Sequence, residues 1–227
     1  MLLFKIKFLT FYFLLFIFLL SLFFTFSRGA WIAFLVGIAA MFALSVLKKD
    51  LLVQRKLLGV ILVTGIIFFA LSNIYSGLVS TRLSGSARLE AKSNIERIES
   101  FQTAQEIIKK HWFFGIGAGN FPIAVEKEIL SGQPAYYYQP AHNVFLLVLA
   151  EIGIVGLLFF SGFIFYICYF LISDSFKNQG KNIYLVALPA AMMPAFMVDH
   201  WWWSLHFGVL LFWFVSGLLL QKKEPGN

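Results

Sequence analysis

FLTFYFLLFIFLLSLFFTF (residues 8–26), SRG (27–29) and AWIAFLVGIAAMFALSVL (30–47) together decide the fold class: two apolar runs meet at a single cation, Arg28. Each run is long enough to cross the roughly 30 Å hydrocarbon core of a bilayer as a helix. Ser27 is placed to cap a new helix whose first turn already carries the positive end of a dipole. Arginine is electrostatically misplaced at that end. The pairing makes sense if an anion sits there, held by free backbone N–H groups and the guanidinium fork together, with phosphate or diphosphate as first candidates. The alternative is a stop residue whose guanidinium snorkels to the lipid headgroups.

Outward from this junction the chain continues in the same style. It is 60% hydrophobic and 19% aromatic, with 28 phenylalanines, a composition suited to lipid as solvent. Further apolar segments run from Leu57 to Tyr75, Val144 to Ile172, Ile183 to Val198 and Leu205 to Leu220. The expectation is an all-α integral membrane protein with about six transmembrane helices. Pro189 and Pro194 predict a kinked or tilted fifth span. The first run is too long for a cleavable signal peptide, although Lys5 and Lys7 precede it. The lone cysteine, Cys168, lies inside the fourth span and rules out a disulfide framework or a thiolate metal cluster.

Charge sets the orientation. With the N-terminus cytoplasmic, the inner segments collect Lys5, Lys7, Lys48, Lys49, Arg55, Lys56, Lys177, Lys181, Lys222 and Lys223 against Asp50, Asp174 and Glu224, as the positive-inside rule asks. The net charge of +7 is then a topology signal, and no basic-aromatic face suggests nucleic-acid binding. The organisation expected is three N-terminal spans (1–75), an outer loop (76–142), three C-terminal spans (143–221) and a short inner tail (222–227). Asp199-His200-Trp201-Trp202-Trp203 reads as an interfacial aromatic belt rather than as a sugar-stacking platform.

The outer loop carries the polar residues. Over 94–112, Ile98, Phe101, Gln105, Ile108 and Trp112 share one side of an amphipathic helix, with Glu99, Glu106 and Lys110 opposite and Glu106–Lys110 as an i,i+4 pair. Arg97 departs from this pattern. It sits about 20° from both Ala104 and Ile108 on the wheel, inside the apolar sector, so it needs a partner: a bound anion, or Glu151. Arg82 and Arg88 precede the helix in a Ser/Gly-rich stretch, where solvated positioning charges are the default. Gly115-Ile116-Gly117-Ala118-Gly119-Asn120-Phe121 reads as a tight turn, since a phosphate-binding loop would need a strand before it and a helix immediately after. His142 stands at the entry of the fourth span, either as a proton-exchanging group at a cavity mouth or as an interfacial residue capping the helix with Asn143. Glu151, deeper in that span, must be protonated, paired or facing a polar cavity.

Taken in order, Thr25-Phe26-Ser27-Arg28-Gly29-Ala30-Trp31, Arg97 followed by Phe101 and Ala104, Gly115 to Phe121, and His142-Asn143 with Ala150-Glu151-Ile152-Gly153 resemble the O-antigen ligase and polymerase family. The resemblance implies a GT-C-like membrane glycosyltransferase of the bacterial inner membrane, with its active side periplasmic or extracellular. Such enzymes move a glycan from a polyprenyl-diphosphate (undecaprenyl-diphosphate) carrier to a hydroxyl acceptor in lipopolysaccharide or polysaccharide biosynthesis, without a nucleotide sugar, a metal or another cofactor. Carried over by position, Arg28 and Arg97 would hold the diphosphate and His142 would activate the acceptor hydroxyl. Arg88, Glu151, Gly119 and Asn120 would support substrate binding.

Two features depart from the family pattern. Phe101 stands where tryptophan is common, and the spans that in the family precede the Ser-Arg-Gly motif are expected here on a missing N-terminal half or a partner subunit. The other readings of the same residues are a transporter or flippase module for an anionic lipid-linked glycan, in which the arginines bind and nothing reacts, and a non-catalytic fragment or subunit of such a system. No convincing duplication relates the first three spans to the last three, which favours the enzyme.

Overall fold

A computed structural model describes the backbone of residues 2–84, 88–177 and 183–220, with the side chains of all these except 2–9 and 88–90. Lys181, Lys222, Lys223 and Glu224 of the inner charge pattern, and the side chains of Lys5, Lys7 and Arg88, lie outside the described residues. Every regular element among the described residues is helical: α1 (Leu2–Phe24), α2 (Arg28–Leu47), α3 (Leu51–Ile74), α4 (Ser76–Ser84), α5 (Arg88–His111), α6 (Phe121–Glu128), α7 (Val144–Lys177), α8 (Ala187–Val198), α9 (Trp201–Ser204) and α10 (His206–Leu220). Short 3-10 turns occupy Ala135–Tyr137 and Ile183–Val186.

Three of these helices, α2, α3 and α7, are long and apolar enough to cross a membrane. The other segments expected to span form shorter apolar helices, Thr10–Phe24, Ile183–Val198 and His206–Leu220, among the described residues. Their large apolar side chains remain on the outside, with Phe69 at 74% and Phe159 at 77% exposure, as lipid-facing surfaces require.

Local chemistry explains where the helices start. Ser27 accepts from the Ala30 N–H at 3.2 Å and opens α2, and Asp50 accepts from the Val53 N–H at 3.0 Å and opens α3, each satisfying a donor that a helix start leaves free. Asn143 accepts from the Leu146 N–H at 3.0 Å at the entry of α7. Small residues then bring α2 against α8. A Cβ on Gly37 would lie 3.1 Å from the Ala187 carbonyl and 3.3 Å from the Ala191 methyl, so the backbones approach as only small residues permit. At one end Phe23 stacks on Trp31, whose indole N–H donates to Leu22 O at 3.0 Å. At the other end Lys48 donates to Ser175 Oγ at 3.3 Å, joining the ends of α2 and α7.

The fourth expected span is not one straight helix. Gly153 breaks α7 with φ 69° and ψ −173°. The break turns the carbonyls of Ala150 and Glu151 outward, where they accept from the N–H groups of Ile116 (3.0 Å) and Gly117 (2.8 Å), while Ile154 N–H donates to Trp112 O at 2.9 Å. The glycine turn is therefore the seat on which the outer segment docks into the kink. Gly115, Gly117 and Gly119 adopt φ of 71°, 94° and 76°, values that side-chain-bearing residues rarely reach.

The segment between α3 and α7 folds onto α7 as a helical cap. Its core joins Ala104 and Ile107 of α5, Phe121, Ala124 and Val125 of α6, Tyr138 and Ala141 with Leu147 and Ala150 of α7. Here the expected amphipathic helix needs correction. It begins at Arg88 rather than 94, and Ile98 and Trp112 are 57% and 56% exposed while Ala104 and Ile107 are fully buried. The inward stripe is rotated toward the small Ala104, because close approach to α6 and α7 selects the face that fits. The expected Glu106–Lys110 pair gives way as well. Lys110 reaches Glu128 of α6 at 3.3 Å, joined there by His111 at 3.0 Å, and the i,i+4 pair that forms on α5 is Lys92–Glu96 at 3.6 Å.

Candidate functional site

The rotation of α5 leaves Arg97 on its inner stripe, in line with Ala104, and the guanidinium Nε is buried without a hydrogen-bond partner. Glu151 does not supply one. Its carboxylate is 2% exposed and is engaged elsewhere: Oε2 accepts from the Trp203 indole N–H at 2.8 Å and Oε1 from the Phe121 N–H at 3.4 Å. Trp203 thus turns its indole N–H inward, against Phe160, because a buried carboxylate requires donors. Glu151 ties the kink of α7 to α6 and α9.

His142 sits between α5 and the end of α8. The Asn143 amide donates to Met197 O at 3.2 Å and so fixes the entry of α7 against the last turn of α8. Asn143 alone performs the capping, and the His142 Nδ1 is buried and unpartnered. Beside it lies a residue pair that the sequence reading treated only as part of the aromatic belt. The His200 ring meets the His142 ring edge to face, centroids 5.0 Å apart at 85°. Burial pushes the His142 imidazole below its ordinary pKa; the charges of Asp199 and Glu96 oppose that shift and the charge of Arg97 adds to it. His200 is likewise lowered, mainly by burial, against the pull of Asp199. The signal in the sequence was Asp199-His200 itself, an acid and an imidazole at a break between apolar segments on the outer side.

Arg28 is the first residue of α2. A Cβ on the adjoining Gly29 would stand 3.1 Å from Val198 Cγ2, which puts the start of α2 against the end of α8, one residue before Asp199. Among the described residues neither Arg28 nor Arg97 forms an ion pair with a carboxylate. Arg28, Arg97 and His142 therefore share one end of the molecule. Arg88 opens α5, at the opposite end of that helix from the glycine turn, with its side chain outside the described residues. Gly119 is exposed at the top of the turn, and the Asn120 amide donates to Ile116 O at 3.0 Å, closing that turn.

Two cavities flank this arrangement. A polar cleft of about 100 Å³ is lined by Glu96, Ser100, Thr103, Tyr137, Gln139 and His142, among others. A larger, more aromatic one of about 370 Å³ lies under the glycine turn, bounded by Gly119, Pro140, Glu151, Trp202, Trp203 and Trp213. Hydroxyl, amide and carboxyl groups in the first and indole faces in the second are the side-chain types that bind polyhydroxylated ligands.

No curated protein and no solved structure matches the chain. The family model described as O-antigen ligase matches residues 13–161, a range that takes in Arg28, Arg97, the glycine turn, His142, Glu151 and the kink at Gly153. With apolar helices of crossing length and that match over more than half its residues, this membrane protein belongs to the O-antigen ligase family, whose members are glycosyltransferase-like enzymes.

Proposed function

We propose that the protein transfers a glycan from a polyprenyl-diphosphate carrier to a hydroxyl acceptor at the outer face of the bacterial inner membrane. The observation that carries this reading is a half-buried Arg97, its Nε without a partner, whose charge is felt at His142, itself with an unpartnered Nδ1 in the lining of the cleft. A cation left without a carboxylate in a half-buried setting is costly, and an anionic ligand offsets that cost.

In this reading the acceptor hydroxyl enters the polar cleft and approaches His142, which takes its proton as the oxygen attacks the anomeric carbon. The new carbon–oxygen bond forms while the bond from the anomeric carbon to the diphosphate breaks. The polyprenyl diphosphate leaves with the electron pair, and Arg97 and Arg28 stabilise the charge that develops on it. Glu151 holds the α7 kink and Trp203 in place, Gly119 and Asn120 shape the turn over the aromatic cavity, and Arg88 adds positive charge to the cap.

The test compares lipid-linked and finished glycan in the native cell for wild type, His142→Ala and Arg97→Met at matched protein abundance. Accumulated donor and lost product are expected in both variants. Arg97→Met is also expected to melt in detergent at or above the wild-type temperature, since it removes an unpaired cation. Unchanged glycan levels in His142→Ala would overturn the catalytic role. Unchanged donor distribution between leaflets, with product lost, separates transfer from a flippase role.

A further inference from the structure

His142, Asp199 and His200 each offer one ligand atom, and the three atoms lie within 4.8 Å of one another. They come from two chain segments, held together by the Asn143–Met197 bond. Each of the three has a ligand-type atom that no protein hydrogen bond needs to occupy. The Ser204 hydroxyl contacts both His200 Nδ1 and His200 O and so holds the ring in place; with the proton on Nδ1, Nε2 is the nitrogen that offers an electron pair. Asp199 Oδ1 accepts from the His200 N–H at 2.7 Å, which fixes the carboxylate and leaves its other oxygen free. The His142 Nδ1 is buried with no partner at all.

Two imidazole nitrogens and one carboxylate oxygen are the borderline donor set that suits zinc and its neighbours, with a position open to a fourth ligand. Calcium and magnesium ask for more oxygen than the cluster supplies. The Ser204–His200 contact is the kind of outer-shell bond that sets the tautomer of a metal-ligating histidine. We propose that His142, Asp199 and His200 form a binding site for a divalent transition-metal ion of the zinc class. The ion would commit the His142 imidazole and so hold the protein out of its transfer cycle, a regulatory consequence that rests on the function proposed above, whereas the site itself does not.

The experiment is Zn²⁺ binding to the purified full chain in detergent, by competition with a chromophoric chelator, with Co²⁺ absorption as a report of coordination. One ion per chain is expected. His200→Ala and Asp199→Ala should each weaken binding by more than the roughly 10- to 100-fold that loss of an outer-shell partner costs, and Ser204→Ala by about that amount. Of the four histidines, His111 and His206 lie elsewhere, and His111→Ala and His206→Ala should leave binding unchanged. Equal Zn²⁺ affinity in wild type, His200→Ala and Asp199→Ala overturns the site, as does an equal loss in the His111 and His206 controls. Melting curves of the metal-free variants confirm that each is folded. Because binding is read without any glycan, Zn²⁺ binding by a protein whose metal-free form transfers no glycan overturns the transferase and leaves the site standing, and glycan transfer by a protein that binds no Zn²⁺ does the opposite.

Discussion

Glu151 shows how a single residue changes meaning once its neighbours are known. In the sequence it is a carboxylate stranded in an apolar span, available to an arginine. In the structure both of its oxygens are taken, one by Trp203 and one by the backbone of Phe121. Removing the indole donor leaves a buried oxygen unsatisfied, which costs about 1–3 kcal/mol. Trp203→Phe should therefore lower stability in detergent by that amount, measured by thermal or denaturant unfolding. Adding Glu151→Leu to that variant should recover part of the loss, because the orphaned carboxylate oxygen is removed, while the Phe121 N–H that gives up its long 3.4 Å bond keeps the recovery incomplete. Additive losses would mean that the two side chains are not coupled. Arg97 is the opposite case, a charge whose inward position was legible from the wheel and whose partner the fold does not provide.

At the scale of the element, the kink in α7 and the glycine turn form one unit. Gly153 adopts a φ/ψ pair open essentially to glycine alone, and a Cβ there would stand 2.0 Å from Phe113 O. A Cβ on Gly115 would stand 2.3 Å from Glu151 O. Gly153→Ala should thus cost about 3 kcal/mol or more, through backbone strain and the clash together. Gly162→Ala, in the same helix with nothing within 4 Å of its Cβ, should be neutral to stabilising by up to about 1 kcal/mol. The contrast, read by melting in detergent, checks the docking of the cap. Equal effects would show that the cap is not seated in the kink. The sequence marked Gly115 as part of a permissive turn, but the break at Gly153 and the pairing of the turn with the carbonyls of Ala150 and Glu151 are through-space facts that no local propensity encodes.

At the scale of the whole molecule, the ends of the helices segregate. Lys48 and Ser175 meet at one end, while Ser27, Val198, Asn143 and the cap gather at the other. We propose, on the positive-inside rule, that the first end faces the cytoplasm. In a Cys168→Ser background, Gln133→Cys should react with a membrane-impermeant thiol reagent in cells whose outer permeability barrier admits it. Lys49→Cys should react only after the inner membrane is opened. The reverse pattern would invert the molecule and remove the proposed site from the outer face.

By itself the sequence determined the membrane class, the helical start at Arg28, the inward position of Arg97 and the tight glycine turn, because hydropathy, capping and wheel position are properties of neighbours along the chain. Only the tertiary structure decided which face of α5 is buried, what Glu151 binds, and that Asp199 and His200 stand beside His142. Those outcomes depend on how closely α2, α7 and α8 approach one another. That distance is set by shape complementarity between segments far apart in sequence, which periodicity within any one segment does not contain.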